Sequence, residues 1–117
     1  MALENAVEGC VRETYGALVA TWQAQVARDP VVRAAMKRIA RDETRHAALS
    51  WSVGSWLETR LDTEARCRVE RAKQAEARLI LRSAESDGTT PFAAAAGLPT
   101  PGETLRLATE MTRMLWS

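Results

Sequence analysis

The stretch RDPVV, residues 28–32, decides the fold of this chain of 117 residues, because it separates two long runs of helical character. Asp29 supplies a side chain suited to an N-cap, and Pro30 fits the first position of a helix, where an N–H would have no intrahelical partner. On both sides of the stretch, apolar residues recur at steps of three and four, as in amphipathic helices. We therefore predict a tight hairpin of two helices, over residues 3–27 and 30–61.

The rest of the chain is also predicted to be helical. Ala, Arg, Glu and Leu dominate the sequence, and no stretch alternates apolar with polar residues at period two, so no sheet is expected. Asp62 is expected to cap a third helix over residues 63–84, whose many charged residues suit a substantially solvated surface. A break and a short Ala-rich turn follow, and then Thr100 and Glu103 form a capping box that starts a last helix reaching Trp116. We predict one all-α domain over 1–117, with a core hairpin over 3–61, a third long helix over 62–84, and a tail with short helices over 91–117.

The composition excludes several classes of function. The formal net charge is +1, so there is no general electrostatic reason to expect nucleic acid as a partner. No apolar run approaches the roughly 20 residues that span a bilayer, and the first residues lack the features of a signal peptide, so we expect no membrane partner and a cytoplasmic location. Cys10 and Cys67 are too few and too far apart for a disulfide framework or a zinc motif, and we expect small buried thiols.

The motif DETRH, residues 42–46, contains the only histidine of the chain. Glu43 and His46 are three residues apart and lie on one face of the second helix, so one metal ion can take a carboxylate oxygen and an imidazole nitrogen from them. Chance places a glutamate at this spacing about one time in ten, so the motif alone is weak evidence. The two residues share their face with aliphatic residues, and we expect them to point into the bundle.

A second carboxylate on the first helix has two candidates. Glu8 lies on the bulky apolar stripe, where an unpaired carboxylate is costly and a metal ligand is reasonable. Glu13 lies among small residues, but the hairpin geometry places it nearly level with Glu43, whereas Glu8 is out of level by roughly 10 Å at the rise of an α-helix. The residues alone leave both candidates open.

These residues resemble the ferritin-like di-iron carboxylate superfamily. Its signature is a glutamate on one helix, often followed seven residues on by Tyr or Phe, and then Glu-x-x-His on the next helix, a pattern that Glu8, Tyr15, Glu43 and His46 match. The phrases at 4–14 and 42–47 are similar to the second, C-terminal half of bacterial ferritin-like domain proteins of the myxobacterial type. The resemblance implies a ferritin-like helical hairpin, half of a four-helix bundle, and favours Glu8 over Glu13 as the ligand beside Glu43 and His46.

The resemblance also implies a cofactor and two supporting residues. The cofactor would be iron, as a di-iron site shared across a dimer, unless the chain binds none. Asp42 would accept a hydrogen bond from the histidine of the opposite helix pair and so fix its tautomer. Tyr15 would lie near the metals as a hydrogen-bond donor or a redox-active ring; its alternative is plain packing in the core.

Against the family pattern, this chain supplies only half of a site. A complete di-iron site takes a Glu from each of two helices and Glu-x-x-His from each of two others. The chain is therefore expected to form a homodimer, to pair with a separate chain that supplies the other half, or to be a remnant without metal. We expect a partner to cover the first helix, which is apolar on one face and lined with small residues on a second.

Two functions are consistent with these observations. The first is oxygen- or peroxide-dependent oxidation at a di-iron site of the ferroxidase or oxidase type, which would make the chain an oxidoreductase. The second is a non-catalytic helical interaction module, in which Glu43 and His46 are a satisfied polar pair.

Overall fold

The computed structural model describes residues 1–86 and 96–116, and side chains within 1–83 and 96–116. These residues form four helices and no strand, so the predicted all-α class is confirmed. Most of the predicted Ala-rich turn lies outside the described residues. The helices are α1 over residues 2–26, α2 over Pro30–Glu58, α3 over Thr63–Ser86 and α4 over Pro101–Trp116. Within the described part of the chain, no helix is long and apolar enough to cross a membrane.

The predicted helix starts are confirmed by their capping hydrogen bonds. The Asp29 carboxylate accepts a hydrogen bond from the backbone N–H of Val31 at 2.8 Å, at the start of α2. The Asp62 carboxylate accepts from the N–H of Ala65 at 2.8 Å, before α3. In the capping box, the Glu103 N–H donates to Thr100 Oγ1 at 3.2 Å and the Thr100 N–H donates to Glu103 Oε1 at 3.0 Å. Local sequence signals therefore determine where these helices begin.

Helix α1 is not a uniform α-helix. Ala2–Glu4 is α-helical, Asn5–Arg12 is a π-helix, and Glu13–Val26 is α-helical again. In a π-helix the backbone hydrogen bonds span five residues instead of four, so each turn is wider. Faces assigned to residues 5–12 from the α-helical period are therefore shifted relative to the rest of α1.

Helices α1 and α2 approach each other closely because small residues line their contact. Ala20, Ala40 and Ala47 are buried along this hairpin. A Cβ placed on Gly9 would lie only 2.7 Å from the Cβ of Ser50, a separation that real Cβ atoms do not show. A glycine at position 9 therefore allows the two backbones to come together.

The opposite side of α1 packs against α3 and α4. Val11 of α1, Ala77 of α3 and Met111 of α4 form a buried cluster. Around the cluster pack five partly buried apolar residues: Tyr15, Leu18, Ile80, Leu115 and Trp116. The expectation that a partner must cover the second face of α1 is therefore wrong, because the chain covers it with its own last two helices.

Much of helix α3 is exposed, as predicted, but the helix also buries two charged residues. Glu76 is 7% exposed and accepts a hydrogen bond from the Arg12 guanidinium at 2.6 Å. Lys73 is 7% exposed and pairs with Glu70 at 2.9 Å. These ion pairs provide the partners that buried charges require.

Candidate metal centre

Three potential metal ligands converge between α1 and α2. Glu13, Glu43 and His46 each place one ligand atom so that all three atoms lie within 4.8 Å of one another. His46 Nδ1 lies 3.9 Å from Glu13 Oε1. Glu43 and His46 were predicted as ligands, and Glu13 was the alternative to Glu8 that the geometry of the hairpin favoured.

The two glutamates are positioned by their surroundings in the hairpin. Glu13 is the first residue of the second α-helical part of α1, and its Oε2 accepts a hydrogen bond from Ser50 Oγ at 3.3 Å. Glu43 lies across from Gly16, where a Cβ would be 3.6 Å from Glu43 Oε2. Both glutamates are partly buried.

His46 lies at the edge of the cluster. Its side chain is 60% exposed, so the ring lies at an open side of the hairpin and does not point into a closed bundle. The prediction that both side chains point into the bundle is therefore wrong for His46, whereas Glu43 is partly buried.

Side-chain hydrogen bonds fix how α1 lies against α2 near the cluster. The Trp51 indole N–H donates to Thr14 Oγ1 at 2.9 Å. The Asn5 amide and the Cys10 thiol both donate to the Ser50 carbonyl oxygen, at 2.9 and 3.4 Å. Ser50 therefore contacts the π-helical segment through its carbonyl and Glu13 through its hydroxyl. The sequence placed Ser50 on the same face as His46, but nothing in it indicated this role.

The two cysteines differ in their surroundings. Cys10 is buried, as expected, and burial, together with weaker repulsion from Glu13 and Glu58, raises the pKa of its thiol, while Lys73 opposes the rise. The thiol is therefore held in its neutral form, which suits a donor to Ser50 and not a thiolate ligand. Cys67 is exposed, so the expectation that it is buried is wrong.

Glu8 lies apart from the cluster. Its side chain is 65% exposed and its carboxylate lies 3.7 Å from Arg12, which also pairs with Glu76. Glu8 belongs to the π-helical segment, where the α-helical period used to assign its face does not apply. The resemblance favoured Glu8, but the structure brings Glu13 to Glu43 and His46, in agreement with the argument from helix levels.

The two predicted supporting residues take different positions. The Asp42 carboxylate is exposed and lies 3.9 Å from Arg45 Nη1, one helical turn along the same helix. Tyr15 packs against the buried cluster of Val11, Ala77 and Met111, which agrees with the alternative of core packing. Asp42 thus pairs along its own exposed helix face, whereas the Tyr15 ring helps to form the core.

The donor set of the cluster suits a first-row transition metal. Carboxylate oxygens and imidazole nitrogens bind iron, manganese and zinc. Three ligands do not complete the set of four carboxylates and two histidines that a di-iron site uses. The residues therefore fit one half of such a site.

A scan of the chain against protein-family models, curated proteins and solved structures gives no match. The arguments about function accordingly rest on the geometry of the chain itself.

Proposed function

We propose that this chain binds iron through Glu13, Glu43 and His46, and that two copies join their half-sites into a di-iron carboxylate centre for oxygen- or peroxide-dependent oxidation. The observation that supports the proposal most strongly is the convergence of these three ligand atoms within 4.8 Å from two different helices. The reaction would be of the ferroxidase or oxidase type.

The count of ligands supports assembly from two copies. One chain offers two carboxylates and one imidazole, and a two-fold pair offers four carboxylates and two imidazoles, which is the set of a ferritin-like di-iron site. The exposed His46 ring is available for this purpose at the open edge of the hairpin.

Each residue of the half-site has a defined part in the proposal. Glu13, held by the Ser50 hydroxyl, and Glu43, across from Gly16, would provide carboxylate oxygens, while His46 would provide a ring nitrogen. Ferrous iron held there would supply the electrons that reduce dioxygen or peroxide and would itself become ferric iron. The protein's own contribution is to bind the metal, to fix its ligands and to leave it reachable from solvent through the side on which His46 is exposed.

The test is native mass spectrometry after anaerobic loading with ferrous iron. We expect two irons per dimer, and we expect Glu13→Gln and His46→Ala to lose both irons while circular dichroism shows unchanged helix content. Glu8→Gln is the matched control, because Glu8 is an exposed glutamate on the same helix, and it should keep both irons.

Two results would contradict the proposal. Loss of iron in Glu8→Gln but not in Glu13→Gln would show that Glu8, which the family resemblance favours, is the ligand in place of Glu13. A folded wild-type protein that takes up no iron would instead support a non-catalytic interaction module. If iron binds, oxygen consumption by the ferrous protein, with peroxide as the alternative oxidant, tests the oxidase assignment.

A further inference from the structure

Helix α2 has a second apolar face that the rest of the described chain leaves largely exposed. Large residues on this face include Ile39, Leu49 and Trp56, which are 44%, 64% and 53% exposed. We call the whole row the outer stripe; it consists of Val32, Ala35, Ile39, Asp42, His46, Leu49, Val53 and Trp56. The other apolar members, Val32, Ala35 and Val53, are partly buried. Large exposed apolar residues in one line indicate a place where another molecule packs.

The spacing of the outer stripe is that of helix-to-helix packing. Its members alternate steps of three and four residues from position 32 to position 56, the a and d positions of a heptad pattern. The face that α2 turns toward α1 is a different row, which includes Ala40, Ala47 and Gly54. The helix therefore has one row that faces α1 and another whose large apolar residues the described part of the chain leaves exposed.

The outer stripe is complementary to itself when it is read in the opposite direction. Position 44 is the centre of the stripe. Ile39 and Leu49 lie at equal distances before and after this centre, and so do Asp42 and His46. The other mirrored pairs are Val32 with Trp56 and Ala35 with Val53. An antiparallel copy of α2 would thus place apolar residues on apolar residues and a carboxylate opposite an imidazole.

We infer that the outer stripe is a dimer interface, in which α2 packs antiparallel against α2 of a second copy about a two-fold axis at the level of Thr44. A two-fold interface requires one patch to be complementary to itself, and this stripe meets that condition. The choice of a second copy as the partner rests in part on the proposed function, because the half-site is incomplete without another set of ligands.

The inferred interface explains how two half-sites would meet. Glu43 and His46 lie within two residues of the level of the axis, so the two half-sites, with four carboxylates between them, would lie at the same level of the dimer. Like charges repel at short range, and a bound cation removes this repulsion. Iron should therefore tighten the dimer, while the apolar pairs at both ends of the stripe hold it in the absence of metal.

The first experiment compares two substitutions of exposed apolar residues by sedimentation velocity without metal. Leu49→Glu, in the stripe, should convert the dimer into a monomer with unchanged helix content. Met114→Glu is the matched control, because Met114 is 67% exposed on α4 and outside the stripe, and it should remain a dimer. A wild-type monomer at all concentrations, or a Leu49→Glu variant that stays dimeric, would overturn the interface.

The second experiment tests the antiparallel register with cysteine cross-links. In a Cys67→Ser background, which removes the exposed thiol, Ile39→Cys and Leu49→Cys are oxidised separately and as a mixture. The mixture should give a cross-linked heterodimer between positions 39 and 49, while each variant alone should give little. Efficient cross-linking of each variant with itself would indicate parallel helices and refute the register.

These outcomes separate the interface from the metal site. A dimer with the expected cross-link but no iron uptake would uphold the interface and refute the proposed function. Iron bound by a protein that stays monomeric would refute the interface alone.

Discussion

The two sides of α1 are packed in different ways. Toward α3 and α4, Val11 meets Ala77 and Met111 in a closed apolar cluster, and the ion pair between the exposed Arg12 and the buried Glu76 lies nearby. Toward α2, the contact is made by small residues and by polar side chains that remain partly exposed, among them Glu13. The closed side consists of large apolar contacts that stabilise the fold. The hairpin side has small residues instead, so that α1 and α2 approach closely and the carboxylates of Glu13 and Glu43 lie near each other. Stability and candidate chemistry are thus divided between opposite sides of one helix.

The largest expected effect is on the closed side. Met111 is fully buried, and Met111→Ala should lower the free energy of unfolding by about 2–5 kcal/mol, because it removes apolar contacts and leaves a cavity. Chemical denaturation measures this change. The control is Met114→Ala on the same helix, which should shift the value by no more than about 0.5 kcal/mol, since Met114 is 67% exposed. Equal losses in both variants would mean that the closed cluster does not dominate stability.

A smaller effect is expected on the hairpin side. Gly9→Ala introduces a methyl group 2.7 Å from the Ser50 Cβ, so α1 and α2 must separate, at a cost of about 1–3 kcal/mol. The same variant should bind iron more weakly if Glu13 and Glu43 are ligands, because the movement draws their carboxylates apart. Thermal unfolding and iron titration report the two effects. Gly102→Ala is the control, since a Cβ there meets nothing within 4 Å, and it should not be destabilised.

The smallest expected effect concerns acid. Burial alone would raise the pKa of Glu70, but hydrogen bonds from Lys73, Trp116 and Gln74 together hold it below its ordinary value. A carboxylate with a lowered folded-state pKa stabilises the fold above its unfolded-state pKa, and this contribution disappears as the pH falls through the folded-state pKa. The melting temperature of Glu70→Gln should therefore lie below that of the wild type at neutral pH and converge with it in acid. A difference in melting temperature that persists in acid would mean that the loss of stability does not come from ionisation of Glu70. The control is Glu64→Gln, at an 84% exposed glutamate, whose melting temperature should equal that of the wild type at both pH values.

Part of this architecture is predictable from the sequence because it depends on neighbouring residues. The caps at Asp29, Asp62 and Thr100 act within three residues along the chain, and the helices begin where these signals place them. Helix ends are less well determined: α2 stops at Glu58, three residues before the predicted end, because the backbone N–H groups from Thr59 onward bond to carbonyls three residues back in a tighter turn.

The sequence predicted the candidate site correctly where the argument used the height of a residue along the hairpin. It failed where the argument used the face of the helix on which a residue lies. Counting residues from the turn placed Glu13 level with Glu43, and the structure brings these two together. The face of Glu8 was assigned with an α-helical period that its π-helical segment does not follow. The covering of α1 by α4 depends on contacts between residues about 100 positions apart, such as Val11 with Met111, which no local pattern encodes.

The contacts of Ser50 predict which residues homologous chains can carry at position 50. Its carbonyl oxygen accepts from Asn5 and Cys10, its hydroxyl donates to Glu13, and its Cβ leaves no space for a side chain at Gly9. Several of the contacts that set the distance between the two helices of the hairpin therefore meet at one position. Homologous chains can vary along the remaining contact, but position 50 should accept only a small residue with a hydroxyl group, and a drift to alanine there should come with a new partner for the glutamate at position 13.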